Sequence, residues 1–491
     1  MNGRRSELLK DACAWALAGP MFLFPIANPD LFWHLKVGQG IALRGALPKD
    51  DFLSFTMMGS RWADFEWLPQ LLFTGTYGAA GWAGLFLLKV LLLAMAGATV
   101  WALLRSSPWR RTLFLFWAAL TVGRSELKVE LFSIILFTME LWALEGFRLG
   151  ALKVKPAYAA ATALLFFVFW ANLHPGFVGG LLLLAFYCLG QDRAGLRVLG
   201  AAFAAGAAGT LLNPYGWGLH GVLLQHARWM RVMSAYILEW KPLSFGNPFQ
   251  WPEWVLLALT GAALLRRRPP WPHLAAALAF GASSALHARA AAYFVPLGLL
   301  VLAERVRDLP IRSWALGIPC AVYLSVTCFP ALKDFRFFDS SLFPVAACDF
   351  IEREMETLRN RRIYNEWGWG GYLEFRFSPD IRVFMDGRYI FHPVLAGVAA
   401  ANRDPREWND FLDRHGVEWA LMSNSPVPLT IQFRGADGQL MTRDIPHLAA
   451  YMPVSRWARV FSDPVANLYV RRGSVPREWL GRWEGCASRG P

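Results

Sequence analysis

The chain has 491 residues, 55% hydrophobic and only 17% charged, a balance too apolar for one soluble core and suited to a protein solvated by a bilayer. Its formal charge of +13 is spread in short clusters between apolar runs, with no basic stripe and no nucleic-acid motif, so nucleic acid is excluded as a partner. Twenty-four Trp and 36 Phe suit a membrane–water boundary, where one edge of a ring is dry and the other wet.

The N-terminus has a basic start and an apolar run but no small-residue cleavage site, and reads as a retained first span. Apolar windows follow at 11–27, 81–104, 112–123, 130–146, 157–172, 176–190, 196–212, 252–265, 272–287, 289–303 and 312–330, predicting a mainly α, polytopic membrane helix bundle of about eleven spans. If the spans alternate, Arg4/Arg5/Lys10, Arg105/Arg110/Arg111, Arg148/Lys153/Lys155, Arg193/Arg197, Arg266/Arg267/Arg268 and Arg305/Arg307/Arg312 share one side, which makes the N-terminus cytoplasmic. The opposite side then holds the loop 28–80, the turns near 124–129, 172–176 and 287–289, the segment 213–251 and everything after 331. Within the first loop, 31–43 and 65–72 carry helical spacing with aromatic residues and predict helices in the interface.

The bundle is therefore expected over 1–332 and an extracytoplasmic α/β domain over 333–491. In the latter, 348–359 and 406–415 read as helices, and 361–365, 373–377, 381–385, 419–422 and 467–470 as strands. The chain shows neither an internal repeat nor a low-complexity tract. Six cysteines without a C-x-x-C pair, four of them inside predicted spans, suggest neither a zinc site nor a disulfide framework, and leave only a Cys348–Cys486 bridge open.

The polar residues that need explaining fall on the outer side. Asp30 stands within three residues of the first span's end, where an ionisable group is a functional candidate by default. Asp50, Asp51, Asp64 and Glu66 share its loop, and Asp51 and Asp64 also fit helix N-caps. His34, Arg124, Asn172, His174, Asn213, Tyr215, Glu239, His287 and Arg289 stand at or near span ends on the same face. Carboxylates among Arg and His at a bilayer surface suit a substrate with a phosphate head and a lipid tail. Arg pairs with phosphate, one carboxylate takes a proton from an acceptor hydroxyl, and acids can hold a divalent cation. No Walker loop, G-x-G-x-x-G, H-E-x-x-H or G-x-S-x-G occurs, so ATP-driven transport, nicotinamide chemistry and the standard metalloprotease and serine hydrolase chemistries lack support. In the C-terminal domain, 365–373 reads as a glycine-rich turn packed by Trp, and Phe384-Met385-Asp386-Gly387-Arg388 as the end of a hairpin strand or an acceptor-facing surface.

Pro29-Asp30-Leu31-Phe32-Trp33-His34-Leu35, Trp62-Ala63-Asp64-Phe65-Glu66-Trp67-Leu68, Trp170-Ala171-Asn172-Leu173-His174 and Asn213-Pro214-Tyr215-Gly216-Trp217 resemble bacterial membrane proteins of the GT-C glycosyltransferase superfamily. The likeness is to a branch ending in a segment like Gly370-Gly371-Tyr372-Leu373 through Asp386-Gly387-Arg388. The resemblance implies inverting transfer of a sugar from a polyprenyl-phosphate donor to an acceptor outside the cytoplasm, at a bacterial inner membrane. It implies Asp30 as the catalytic acid of the first outer loop, with Glu66 or Asp64 binding a metal or orienting the acceptor. Trp367-Gly368-Trp369-Gly370 lacks the acid of the tryptophan-rich acceptor motif of oligosaccharyltransferases, so peptide recognition is not carried over. The rival expectation is a non-catalytic scaffold or assembly factor, or a transporter of a lipid-linked or anionic solute.

Overall fold

The structure is a computed structural model that describes residues 2–266, 268–305, 312–424, 428–434 and 440–484. Its helices are, in chain order, α1 (Asn2–Ala18), α2 (Asp30–Arg44), α3 (Trp67–Leu103), α4 (Arg110–Thr121), α5 (Glu130–Arg148), α6 (Pro156–Ala171), α7 (Phe177–Tyr187), α8 (Arg193–Gly209), α9 (Trp217–Tyr236), α10 (Trp251–Arg266), α11 (Trp271–Leu286), α12 (Ala291–Arg305) and α13 (Ser313–Lys333). Then follow α14 (Val345–Arg353), the short α15 (Met355–Leu358), α16 (Gly370–Phe377), α17 (His392–Ala401), α18 (Pro405–Arg414), α19 (His447–Tyr451) and α20 (Arg477–Glu484). The strands are β1 (Ile363–Asn365), β2 (Trp419–Ser423), β3 (Pro428–Arg434), β4 (Leu440–Pro446), β5 (Trp457–Ser462) and β6 (Ala466–Arg471).

Two compact units emerge: Met1–Ile26 with Ala63–Phe338, and Ala27–Trp62 with Asp339–Pro491. The loop 28–80 is thus divided, 28–62 grouping with the C-terminal unit and 63–80 with the helical one.

In the helical unit the apolar windows from 81–104 to 312–330 each meet a helix, whereas the first, 11–27, is helical only in part: α1 ends at Ala18, a single 3-10 turn runs to Leu23, and 24–27 are not helical. Two helices, α3 and α13, are long and apolar enough to cross a membrane by length and composition. The outward faces are apolar: Leu87 of α3 is 68% exposed, Leu165 of α6 70% and Val326 of α13 70%, while Leu93, Phe167 and Leu324 on the same helices are buried. A hydrophobic outside over a hydrophobic inside suits lipid better than water. Helix α8 packs along α6, where a Cβ on Gly209 would lie 2.7 Å from the Leu164 carbonyl oxygen. Small residues draw the two backbones together. The segment 213–251, expected as an outer stretch without a span, contains α9, whose Arg228, Arg231, His220 and His226 break up its apolar pattern. Arg267 and Arg307 of the basic clusters lie outside the described residues.

The C-terminal unit holds a four-stranded sheet of order β1-β2-β6-β5, with β1 parallel to β2 and the other pairs antiparallel. A separate antiparallel pair joins β3 and β4. Trp419, Leu421, Leu468 and Val470 fill the sheet's core. Two predicted strands are corrected. Residues 373–377 lie in α16 (Gly370–Phe377), which buries Gly370 to Glu374 and Phe377 and leaves Phe375 and Arg376 partly exposed, so Glu374 is an inward position and not the outward one that an alternating strand would make it. Residues 381–385 form no strand, only an isolated bridge between Val383 and Ser54, since Asn365 takes the hydrogen bonds a strand partner would. Cys348 is a free, buried thiol, and Cys486 lies outside the described residues.

Candidate functional site

In the helical unit, polar side chains gather where α3 and α5 begin, where α4 ends and where α11 turns into α12. Arg289, in the turn before α12, donates from Nη1 to Glu239 Oε1 at 2.7 Å, and its Nε lies 3.3 Å from Glu130 Oε1. Its guanidinium also lies over the Trp240 ring, 5.5 Å from the centroid. Lys128 Nζ meets the other Glu239 oxygen at 2.9 Å. Arg124 Nη2 reaches Glu253 Oε1 at 3.3 Å and donates to the Ala288 carbonyl at 2.6 Å, tying α4 and α10 to the Arg289 turn.

The electrostatics follow from this sharing. The Arg289 guanidinium draws Glu239 from 4.5 to about 2, against the cost of burial and with help from Lys128. Burial works against the charge on Arg289, yet Glu239 and Glu130 hold its pKa above the ordinary value. Burial likewise opposes Lys128, which Glu239 and Glu130 nevertheless keep protonated. Cations here are held permanently charged at the end of a helix bundle, with side chains still 28% exposed for Arg289 and 35% for Lys128.

His174, between α6 and α7, is fixed in one tautomer. Its Nδ1 accepts from the Gly176 N–H at 3.1 Å and lies 2.8 Å from Ser133 Oγ, which itself accepts from Trp170 Nε1 at 2.7 Å. The ring therefore presents Nε2–H, 4.0 Å from Glu66 Oε1. Asp64 accepts from Gln70 Nε2 at 2.6 Å and is buried. Asp64 and Glu66 face an amide N–H and an imidazole N–H, donors that suit hydrogen-bonded acids and do not fit a metal ion. Asn172 accepts from Trp67 Nε1 at 3.2 Å and donates to the Val168 and Leu212 carbonyls, acting as a brace between helix ends. The Tyr215 N–H donates to Asn213 Oδ1 at 2.8 Å in the turn before α9.

Asp30 and His34 belong to the C-terminal unit, on the first turns of α2. Asp30 Oδ1 accepts from Trp33 Nε1 at 3.4 Å, and a Cβ on Gly387 would come within 2.0 Å of that oxygen. Glycine at 387 is thus what lets the Asp386-Gly387-Arg388 turn meet α2. His34 is 3% exposed and burial pushes it down to about 3, so it is a neutral ring and not a phosphate-pairing cation.

Beneath Asp30, Arg388 is enclosed by three carboxylates. Its Nη2 lies 2.8 Å from Asp51, 2.5 Å from Asp386 and 3.4 Å from Glu374, and its guanidinium lies over the Trp62 ring at 4.5 Å. Asp51 also accepts from the Ser54 hydroxyl at 2.7 Å. All four charged residues are at most 2% exposed. Burial, then the Asp386 charge, raises Glu374 well above the carboxylate range. Asp386-Gly387-Arg388 is thus a buried clasp and not an open strand end.

At the far end of α5 from Glu130, Glu145, His273 of α11 and Glu304 of α12 bring one nitrogen and two carboxylate oxygens within 4.8 Å of one another. Sequence reading missed this group, along with Lys128, Glu130, Glu253 and Ser133. The signal for Lys128 and Glu130 was four charges at alternate positions, with Arg124 and Glu126, between two apolar runs. Glu253 follows Trp251-Pro252 at a helix start.

The fold is the one that the resemblance to the GT-C glycosyltransferase superfamily implies. Among solved structures it is similar to ArnT from Cupriavidus metallidurans bound to undecaprenyl phosphate, with a TM-score of 0.52 and 11% identity, over 96% of this chain and 99% of that one. No family model and no curated protein matches the chain.

Proposed function

We propose that the chain transfers a sugar, with inversion, from a polyprenyl-phosphate donor to an acceptor at the outer face of a bacterial inner membrane. On this reading the N-terminus is cytoplasmic, about eleven helices cross the bilayer, and the C-terminal unit is extracytoplasmic. The observation that carries it is the cation cluster of Arg289, Lys128 and Arg124 at one end of a helix bundle of this fold, the fold of a structure bound to undecaprenyl phosphate.

The chemistry asks for three things. As the acceptor oxygen bonds to the anomeric carbon, the carbon–oxygen bond to phosphate breaks and negative charge grows on the leaving phosphate. Arg289 and Lys128, charged at every working pH, stabilise it, and Arg124 supports their turn. A carboxylate receives the acceptor proton: Asp30, on the resemblance. Glu66, facing the Nε2–H of His174, orients the acceptor.

The test is transfer of label from radioactive polyprenyl-phosphate sugars into envelope fractions by the full chain in nanodiscs. Wild type yields a labelled product, and Asp30→Asn folds normally but yields none. No product from any donor would sink the transferase reading in favour of a scaffold. Undiminished product from Asp30→Asn would move the base to Glu66, for which Glu66→Gln is the next variant.

A further inference from the structure

The cluster at the other end of α5 has no part in that reaction, and its geometry is unusual for a plain ion-pair network. His273 is fully buried, and its Nε2 lies 2.7 Å from Glu145 Oε1, a hydrogen-bond distance. Glu145 is fixed in turn by Arg148 at 2.7 Å and by the Tyr187 hydroxyl. The other nitrogen, Nδ1, makes no hydrogen bond and lies 3.4 Å from Glu304 Oε2, whose second oxygen is held by Arg148. With Nε2–H donating, Nδ1 turns a lone pair toward a carboxylate oxygen. Two groups of negative potential face each other across that gap, the ring buried and the Glu304 carboxylate open to solvent.

Glu145 and Glu304 carry two negative charges against the single guanidinium of Arg148, so either a second proton on His273 or a bound cation answers the remaining one, and the spacing separates the two. A shared proton would draw nitrogen and oxygen to about 2.8 Å, nearer than the separation seen. Two ligands each about 2.0–2.1 Å from a tetrahedral ion stand about 3.3–3.4 Å apart, which matches. A metal-bound histidine characteristically donates its other N–H to a carboxylate, as His273 does to Glu145. Beside these groups opens a cavity of about 560 Å³ whose lining includes Glu145, Glu304, Arg105, Ser107 and Trp142, with room for water or an anionic ligand at the remaining positions.

We infer that His273 Nδ1 and Glu304 Oε2 form a site for a divalent transition metal ion of the zinc type, oriented by Glu145 and open to this cavity. The donor set of imidazole and carboxylate suits zinc better than magnesium or calcium, which prefer all-oxygen sites. The ion cross-links α11 to α12 directly and both to α5 through Glu145 and Arg148.

The experiment uses the full chain in nanodiscs, stripped with chelator, in a Cys13→Ser background that removes the exposed thiol. Zinc chloride is added, loose metal is exchanged away, and zinc per chain is counted by mass spectrometry. One ion per chain is expected, with a rise in thermal midpoint. Glu304→Gln, close to isosteric, loses the ion while eluting as wild type on size exclusion, and His273→Gln does the same. Glu145→Gln keeps both ligands but binds about 10–100-fold more weakly. Equal zinc on wild type and Glu304→Gln overturns the proposal. So does a wild type that takes up none and loses stability as pH rises regardless of zinc, the behaviour of a doubly protonated His273 clasping two carboxylates. None of these readouts depends on sugar transfer.

Discussion

Two arginines in this molecule are each surrounded by carboxylates, and they do opposite work. Arg388 is 1% exposed and held by Asp51, Asp386 and Glu374 under a lid of Trp62. Arg289 shares Glu239 and Glu130 but keeps 28% of its side chain open. A cation sealed among acids can only hold structure, since every partner it has is buried with it. A cation with an open face can exchange part of its partner set for a ligand. Water access, more than the count of ion pairs, separates the structural arginine from the candidate catalytic one.

The largest effect comes from breaking the sealed side. Arg388→Leu strands buried acids without their cation and costs about 3–5 kcal/mol, enough to abolish folded protein in a detergent size-exclusion profile. Arg388→Lys restores charge but not the two-pronged grip on Asp386, and recovers only part of that loss. On the open side, Arg289→Ala costs less stability than Arg388→Leu and leaves a folded protein in the same profile, while lowering sugar transfer about 100–1,000-fold. A large stability loss in Arg289→Ala would erase the contrast between the two arginines.

A smaller effect separates the regions by pH. Glu239 is drawn to about 2 from 4.5, so its stabilisation is complete above the ordinary range and fades as pH falls from there toward 2. Glu374 is raised, so its contribution is complete below the ordinary carboxylate range and is lost as pH climbs. Thermal midpoints across pH should show Glu239→Gln flattening the acid limb and Glu374→Gln flattening the opposite one. Smallest of all, both carboxyl oxygens of Glu140 in α5 are buried without a hydrogen-bond partner, and Glu140→Leu should raise stability by about 1 kcal/mol in the same assay.

The helical architecture was legible because a long apolar run states its own period. The windows from 81–104 to 312–330 each met a helix, and the aromatic spacing of 31–43 met α2. Where the reading failed, a charge sat at an inward position. Glu374 made α16 look like an alternating strand, and Asp386 and Arg388 made a buried clasp look like a surface. Sequence also placed Asp30 and Glu66 in one loop, yet the chain parts between them at Trp62 and Ala63 into separate compact units. Nothing local to a sequence records which long-range partner a loop residue will choose. Lys128 and Glu239 illustrate it, meeting at 2.9 Å across more than a hundred residues.

The long helix that begins beside Glu66 is interrupted. Ala80 and Gly81 leave helical geometry, with Gly81 at φ 56° and ψ −145°, a conformation that a side chain strains and glycine does not. This elbow divides α3 into a short arm that carries Trp67 and the Glu66 carboxylate at its tip and a long arm that can traverse the bilayer by itself. At about 1.5 Å per residue the tip lies about 20 Å from the elbow, so a rotation of only about 10° there sweeps Glu66 through about 3–4 Å. What fixes the lever is its own packing: Trp67 is hydrogen-bonded to Asn172 and Phe73 stacks on Phe132, so the Glu66 carboxylate is held 4.0 Å from His174 Nε2.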